Sequence, residues 1–174
     1  MPVNQAPRGA LQLKWELRDH GWARCHLAND SHQASLSVSY CTDALADLVA
    51  AAGRLYGQQR TTRFFFDAEP QELRWVLRAT DVLIDVTIYE FPDVSVSLGL
   101  PDTAGTVIWQ SAHSRRLFSH AVLNAAQNVF IEHGEAGYQA KWMLYPFPVA
   151  LVQDLRRLHL RDDACALPHD HARP

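Results

Sequence analysis

Glycine is scarce, eight in 174 residues, and none sits in a P-loop or in the glycine fingerprint of a dinucleotide fold. The chain therefore has no obvious loop of backbone N–H groups to cradle a phosphate. A G-x-S-x-G elbow is missing. So are HExxH, CxxC and H-x-E followed by P-C-x-x-C, the common zinc signatures. Cysteine is limited to Cys25, Cys41 and Cys165, whose spacing suggests no disulfide framework and fits reduced thiols in a cytoplasm. No apolar run reaches the roughly 18 residues a membrane span needs, and MPVNQAPRGA at the start lacks the apolar centre of a signal peptide. Basic excess is also absent. With 16 basic and 19 acidic residues the formal charge is −3, which disfavours nonspecific nucleic-acid binding. No membrane or nucleic-acid partner, no cofactor and no metal is assigned on these grounds.

What the chain does have is alternation. Leu11, Leu13, Trp15 and Leu17 alternate with polar residues, as do Ala23, Cys25 and Leu27, then Ala34, Leu36, Val38 and Tyr40. Period two is the mark of strands buried on one face. From Thr61 to Phe91 the pattern continues. Thr62, Phe64 and Phe66 suggest one strand, Leu73, Trp75 and Leu77 a second, and Val82, Ile84, Val86 and Ile88 a third. A reversal at residues 79–82 would set Leu77 opposite Ile84, Trp75 opposite Val86 and Leu73 opposite Ile88, with all three pairs on one face. Val94, Val96 and Leu98 suggest a further strand, and 106–110 a short edge strand. Period 3.6 appears at Leu45, Leu48, Val49, Ala52 and Leu55, where Thr42 or Asp43 can cap the helix. It returns from Ser114 to Gly134, over a short stretch at 137–144, and from Pro148 to Leu160. Strands, a helix, strands and then helices predict an α+β fold. The expectation is a single twisted antiparallel β-sheet of about 6–7 strands with helices on one face. Residues 10–160 form the single domain, and 1–9 and 162–174 are flexible termini.

Candidate sites are sparse. The polar phase of the strands carries Trp22, Arg24, Ser35, Ser37, Ser39, Arg74 and Tyr89, a face suited to binding another macromolecule because it offers aromatic, arginine and hydroxyl groups together. Asp67, Glu69 and Glu72 surround a turn. They could serve acid–base chemistry or a divalent cation, or form a solvated turn paired with Arg63, Arg74 or Arg78, and the second reading is preferred because turns favour acidic residues. His169 and His171 could chelate a metal, but on a terminal tail they are read as incidental. Cys25 and His26 fall on opposite faces of a strand and make no catalytic pair.

Four stretches together carry a resemblance: Ser39-Tyr40 with Thr42-Asp43-Ala44-Leu45; Glu69-Pro70 with Glu72, Arg74 and Trp75; His133-Gly134 with Gly137-Tyr138 and Trp142; and Pro146-Phe147-Pro148. From about Trp15 to Leu158 the chain resembles a widespread family of small uncharacterised bacterial proteins. The resemblance implies a single bacterial cytoplasmic domain and lends no catalytic residue.

The function expected is therefore non-enzymatic binding of another macromolecule, in the manner of a regulatory or immunity-type protein. The alternative is a small-molecule binder or hydrolase working in a sheet–helix cleft. A homodimer that pairs sheets or edges is a third possibility.

Overall fold

In the computed structural model, which describes residues 10–169, the alternating stretches become β1 (Gln12–Leu17), β2 (Trp22–Ala28), β3 (Gln33–Ser39), β4 (Thr61–Asp67), β5 (Glu72–Thr80), β6 (Leu83–Phe91) and β7 (Thr106–Ser114). The helices are α1 (Ala44–Arg54), α2 (Val94–Ser97), α3 (Arg115–Trp142) and α4 (Val149–Asp162). The α+β class holds. The single sheet does not: the strands form two antiparallel sheets, β1-β2-β3 and β4-β5-β6-β7. The chain leaves β3 into α1, which packs on β4, α3 and α4, and β3 and β4 then approach without pairing. The expected tail 1–9, and His171 with the rest of 170–174, lie outside the described residues.

The inward faces of both sheets feed one core. Leu13, Trp15, Leu17, Ala23, Cys25, Leu27, Leu36 and Val38 come from the first sheet, and Phe66, Leu73, Trp75, Leu77, Ile84, Val86, Ile88 and Trp109 from the second. Aromatic rings join them. Trp15 meets Phe66 edge-on at 5.7 Å between centroids and Trp142 at 6.2 Å, and Phe64 stacks on Trp75 at 5.4 Å. A buried ring of this size contributes about 2–3 kcal/mol by leaving water, so the Trp15–Phe66 contact helps to bind the two sheets where no ladder does. Cys25 is fully buried, and burial pushes its thiol up to about 12.

The β5–β6 register differs from expectation by two residues. Leu77 faces Val86, Trp75 faces Ile88 and Leu73 faces Glu90. The loop is Asp81-Val82, between paired Thr80 and Leu83, with Asp81 at φ +53°, a left-handed conformation that Asp tolerates. Moving the turn by one residue moves the pairing by two, which keeps every side chain on its face. The alternating stretch at 94–98 is no strand. Asp93 accepts from the Ser95 N–H at 2.8 Å and starts the single turn of α2, leaving Val96 and Leu98 exposed. The edge strand expected at 106–110 extends to Ser114, whose hydroxyl then caps α3 by accepting from Leu117 N–H.

Two glycines are required by geometry. Gly21 sits at φ +76°, and the Tyr40 ring occupies the space a Cβ would take. Gly134, at φ +63°, kinks α3 so that the two helical stretches expected on either side of it form one bent element.

Candidate functional site

The expected binding residues divide between the two sheets. On the outer face of the first, Trp22 pairs with Ser39, Arg24 with Ser37 and His26 with Ser35. Arg24, Ser35 and Ser37 are exposed and Trp22 is half-buried, whereas Ser39 is buried and its hydroxyl accepts from Cys41 N–H at 3.4 Å. Beside them His26 bonds Glu16 at 3.2 Å and Arg18 pairs with Glu16 at 2.8 Å. The hydrogen bond from His26 holds the Glu16 carboxyl below its ordinary range.

Arg74 and Tyr89 face each other in the second sheet, so the seven residues share no single surface. Arg74 is also not the exposed contact expected of it; only 7% of it reaches solvent. All five of its guanidinium N–H groups have acceptors. Nε and Nη2 donate to the two oxygens of Glu72 at 2.6 and 3.1 Å. Nη2 also reaches Ser97 O at 2.8 Å, and Nη1 reaches Leu100 O at 2.7 Å and Asp102 at 3.3 Å. The Ser97 hydroxyl donates to Glu72, and the Phe91 ring lies 4.3 Å from the guanidinium carbon. The polar phase of β5 is thus covered by the segment 94–105 that Arg74 itself ties down. An ion pair this buried owes its place to complete hydrogen bonding, since desolvation alone would expel it.

This clamp builds one wall of an open groove of about 600 Å³ lined by Arg63, Phe64, Phe65, Arg78, Leu98 and Leu100 around the Glu72–Arg74–Asp102 cluster. Leu98 and Leu100 are 57% and 46% exposed. Arg63 donates to Asp102 at 2.9 Å, while Arg78 stands 3.9 Å from it, and both arginine side chains are about half exposed. Burial would raise the Asp102 carboxyl, but its bonds to Arg63 and Arg74 outweigh burial and lower it. The Glu72 bond raises Arg74 further. Three arginines against two carboxylates leave the groove cationic in a chain whose net charge is −3.

Asp67, Glu69 and Glu72 do not converge. Asp67 accepts from Glu69 N–H at 2.8 Å, Glu69 accepts from the Cys41 thiol at 3.1 Å, and Glu72 is sequestered by Arg74. Three carboxylates with three separate partners cannot share a cation or a proton.

Another group of side chains does converge. His120 on α3, His159 on α4, and Cys165 and His169 beyond α4 each offer a ligand atom, all within 4.8 Å of one another. Among the described residues it is the only such grouping. Residues 163–169, the described part of the stretch expected to be a flexible terminus, thus lie against the helices. Asp163, also in that segment, has an almost fully buried carboxylate; it takes Arg115 at 2.7 and 2.9 Å on one oxygen, and His159 Nδ1 at 3.1 Å with the Tyr56 hydroxyl on the other. Burial, then the nearby His169 and His159 charges, pushes His120 down to about 4. The sequence pattern does not show this cluster, because its ligands come from three separate segments and fit no spacing signature.

Comparison with protein-family models, curated proteins and solved structures finds no match to this chain.

Proposed function

We propose that this protein is a non-enzymatic binding module, regulatory or immunity-type in character, that takes a segment of a partner protein into the groove beside Arg63, Phe65, Arg78, Leu98 and Leu100. The observation that carries the reading is the Arg74 clamp. It holds the backbone at Ser97 and Leu100 and the carboxylate of Asp102, so the two exposed leucines are presented without the ordering cost a free loop would incur. Arginine and aromatic residues around exposed apolar side chains make the composition of an interface centre. The segment received should carry an apolar anchor for the leucines and a carboxylate for Arg63 and Arg78.

The test compares baits. Wild-type protein should capture a defined partner whose purified form binds it directly by calorimetry. Leu98→Asp and Arg63→Glu should each weaken that binding at least tenfold, while Arg24→Glu, on the first sheet, should leave it unchanged. Loss through Arg24→Glu with binding retained in the groove variants would move the site to the face of Trp22, Arg24, Ser35 and Ser37. The rival reading, a small anionic ligand in the same groove, is favoured by the half-exposed guanidinium groups of Arg63 and Arg78. It predicts stabilisation by small carboxylates or phosphates without any protein partner.

A further inference from the structure

We propose that His120, His159, Cys165 and His169 form a four-ligand site for a zinc-type divalent ion, which fastens the segment after α4 to α3 and α4. The first argument is distance. His120 Nδ1 lies 3.2 Å from His169 Nε2, His159 Nε2 lies 3.1 Å from the same atom, and Cys165 Sγ lies 3.6 Å from His120 Nδ1. A tetrahedral zinc with bonds of about 2.0–2.1 Å to nitrogen and about 2.3 Å to sulfur has N···N edges of about 3.3 Å and N···S edges of about 3.6 Å. Three edges of the tetrahedron are already at length, and side-chain rotation can close the others, all within 4.8 Å.

The second argument is proton accounting. A carboxylate only accepts, so His159 must donate its Nδ1 proton to Asp163 at 3.1 Å, which leaves Nε2 as a lone pair aimed at the cluster. The Asn124 amide nitrogen donates to the other ring nitrogen of His120, Nε2, at 2.9 Å, so without a metal the neutral ring carries its proton on Nδ1. His169 Nε2 carries either one proton or one lone pair, and neither can satisfy both neighbouring nitrogens at 3.1–3.2 Å. Turning the Asn124 amide so that its oxygen accepts from Nε2–H frees the His120 Nδ1 lone pair, and a cation at the centre then satisfies all three nitrogens at once.

The third argument is the surrounding support. Ligating histidines characteristically donate their second ring nitrogen to a carboxylate or amide that fixes the ring. His159 has such a partner in Asp163, which is itself held by Arg115 and Tyr56, and the Asn124 side chain stands at the second nitrogen of His120, where its amide oxygen would serve once turned inward. Three nitrogens and one sulfur suit zinc over magnesium or calcium. Four protein ligands leave no open position, so the role is structural. On binding, the Cys165 S–H bond breaks, its proton passes to solvent and a thiolate–metal bond forms.

Chelator-stripped full-length protein titrated with Co²⁺ should take up one equivalent. It should show the intense visible bands of tetrahedral cobalt together with a near-ultraviolet thiolate-to-cobalt band. Zn²⁺ should displace the cobalt and slow proteolysis in residues 163–169. Cys165→Ser should abolish the thiolate band, and Cys165→Ser and His169→Ala should each weaken Zn²⁺ binding more than about 100-fold, beyond the 10–100-fold that outer-sphere changes cause. Both positions are partly exposed, so these variants should stay folded by circular dichroism, and His26→Ala should bind as wild type. A weak octahedral cobalt spectrum, a missing thiolate band in wild type, or undiminished Zn²⁺ affinity in both folded variants would each overturn the site.

Discussion

The two sheets obey the same alternation and end in different circumstances. In the first, Arg24, Ser35 and Ser37 are left in water. In the second, the equivalent phase of β5 carries Glu72, Arg74 and Val76, all buried, the first two against Ser97, Leu100 and Asp102. Polar residues at every second position therefore do not by themselves identify a wetted face. An arginine can occupy that phase as an internal fastening when a loop brings it carbonyls and a carboxylate brings it charge.

Substitution of the two arginines probes the contrast most severely. Arg74→Ala strands the Glu72 carboxylate and frees two backbone carbonyls, and should cost about 3–5 kcal/mol in urea unfolding. Arg24→Ala should change stability by less than about 0.5 kcal/mol. Similar values for the two would mean that the covered and uncovered faces are energetically alike. Next in size is Gly21→Ala, in the turn that starts β2. The positive φ and the displaced Tyr40 ring should together cost about 1–3 kcal/mol, seen as a lower melting temperature.

Smallest is Asp43→Asn, at the start of the helix that separates the sheets. Burial, then the neighbouring Asp47 charge, raises the Asp43 carboxyl to about 6. The folded state therefore holds that proton more tightly than the unfolded chain. Stability from this group is present below about pH 4 and lost as pH rises through about 6. Asparagine removes the penalty, so the variant should gain about 1 kcal/mol at pH 7 (after discounting for partial exposure) and nothing at pH 4. An equal gain at both pH values would rule out ionisation as its source.

Local pattern revealed a good deal. The inward residues of β1, β2, β5 and β6 follow directly from alternation, and the breaks at Gly134 and before Val149 follow from glycine and proline. The division into two sheets was hidden, because which strands pair is decided by where α1 lodges and leaves no period in the sequence. Val94, Val96 and Leu98 imitated a strand because one helical turn is too short to display its own period, and Asp93 decided the matter through a single hydrogen bond. Arg74 looked like a surface residue because its acceptors at Ser97 and Leu100 lie more than twenty positions away. The histidine–cysteine cluster was concealed in the same way, with 38 residues between His120 and His159.

The fastening of residues 97–102 has an evolutionary corollary. Since the guanidinium grips main-chain oxygens, the identities of the side chains at 98 and 100 are irrelevant to the grip. Those two positions can drift to new shapes and polarities at little thermodynamic penalty. A lineage built on this scaffold could thus exchange one quarry for another while inheriting its architecture intact.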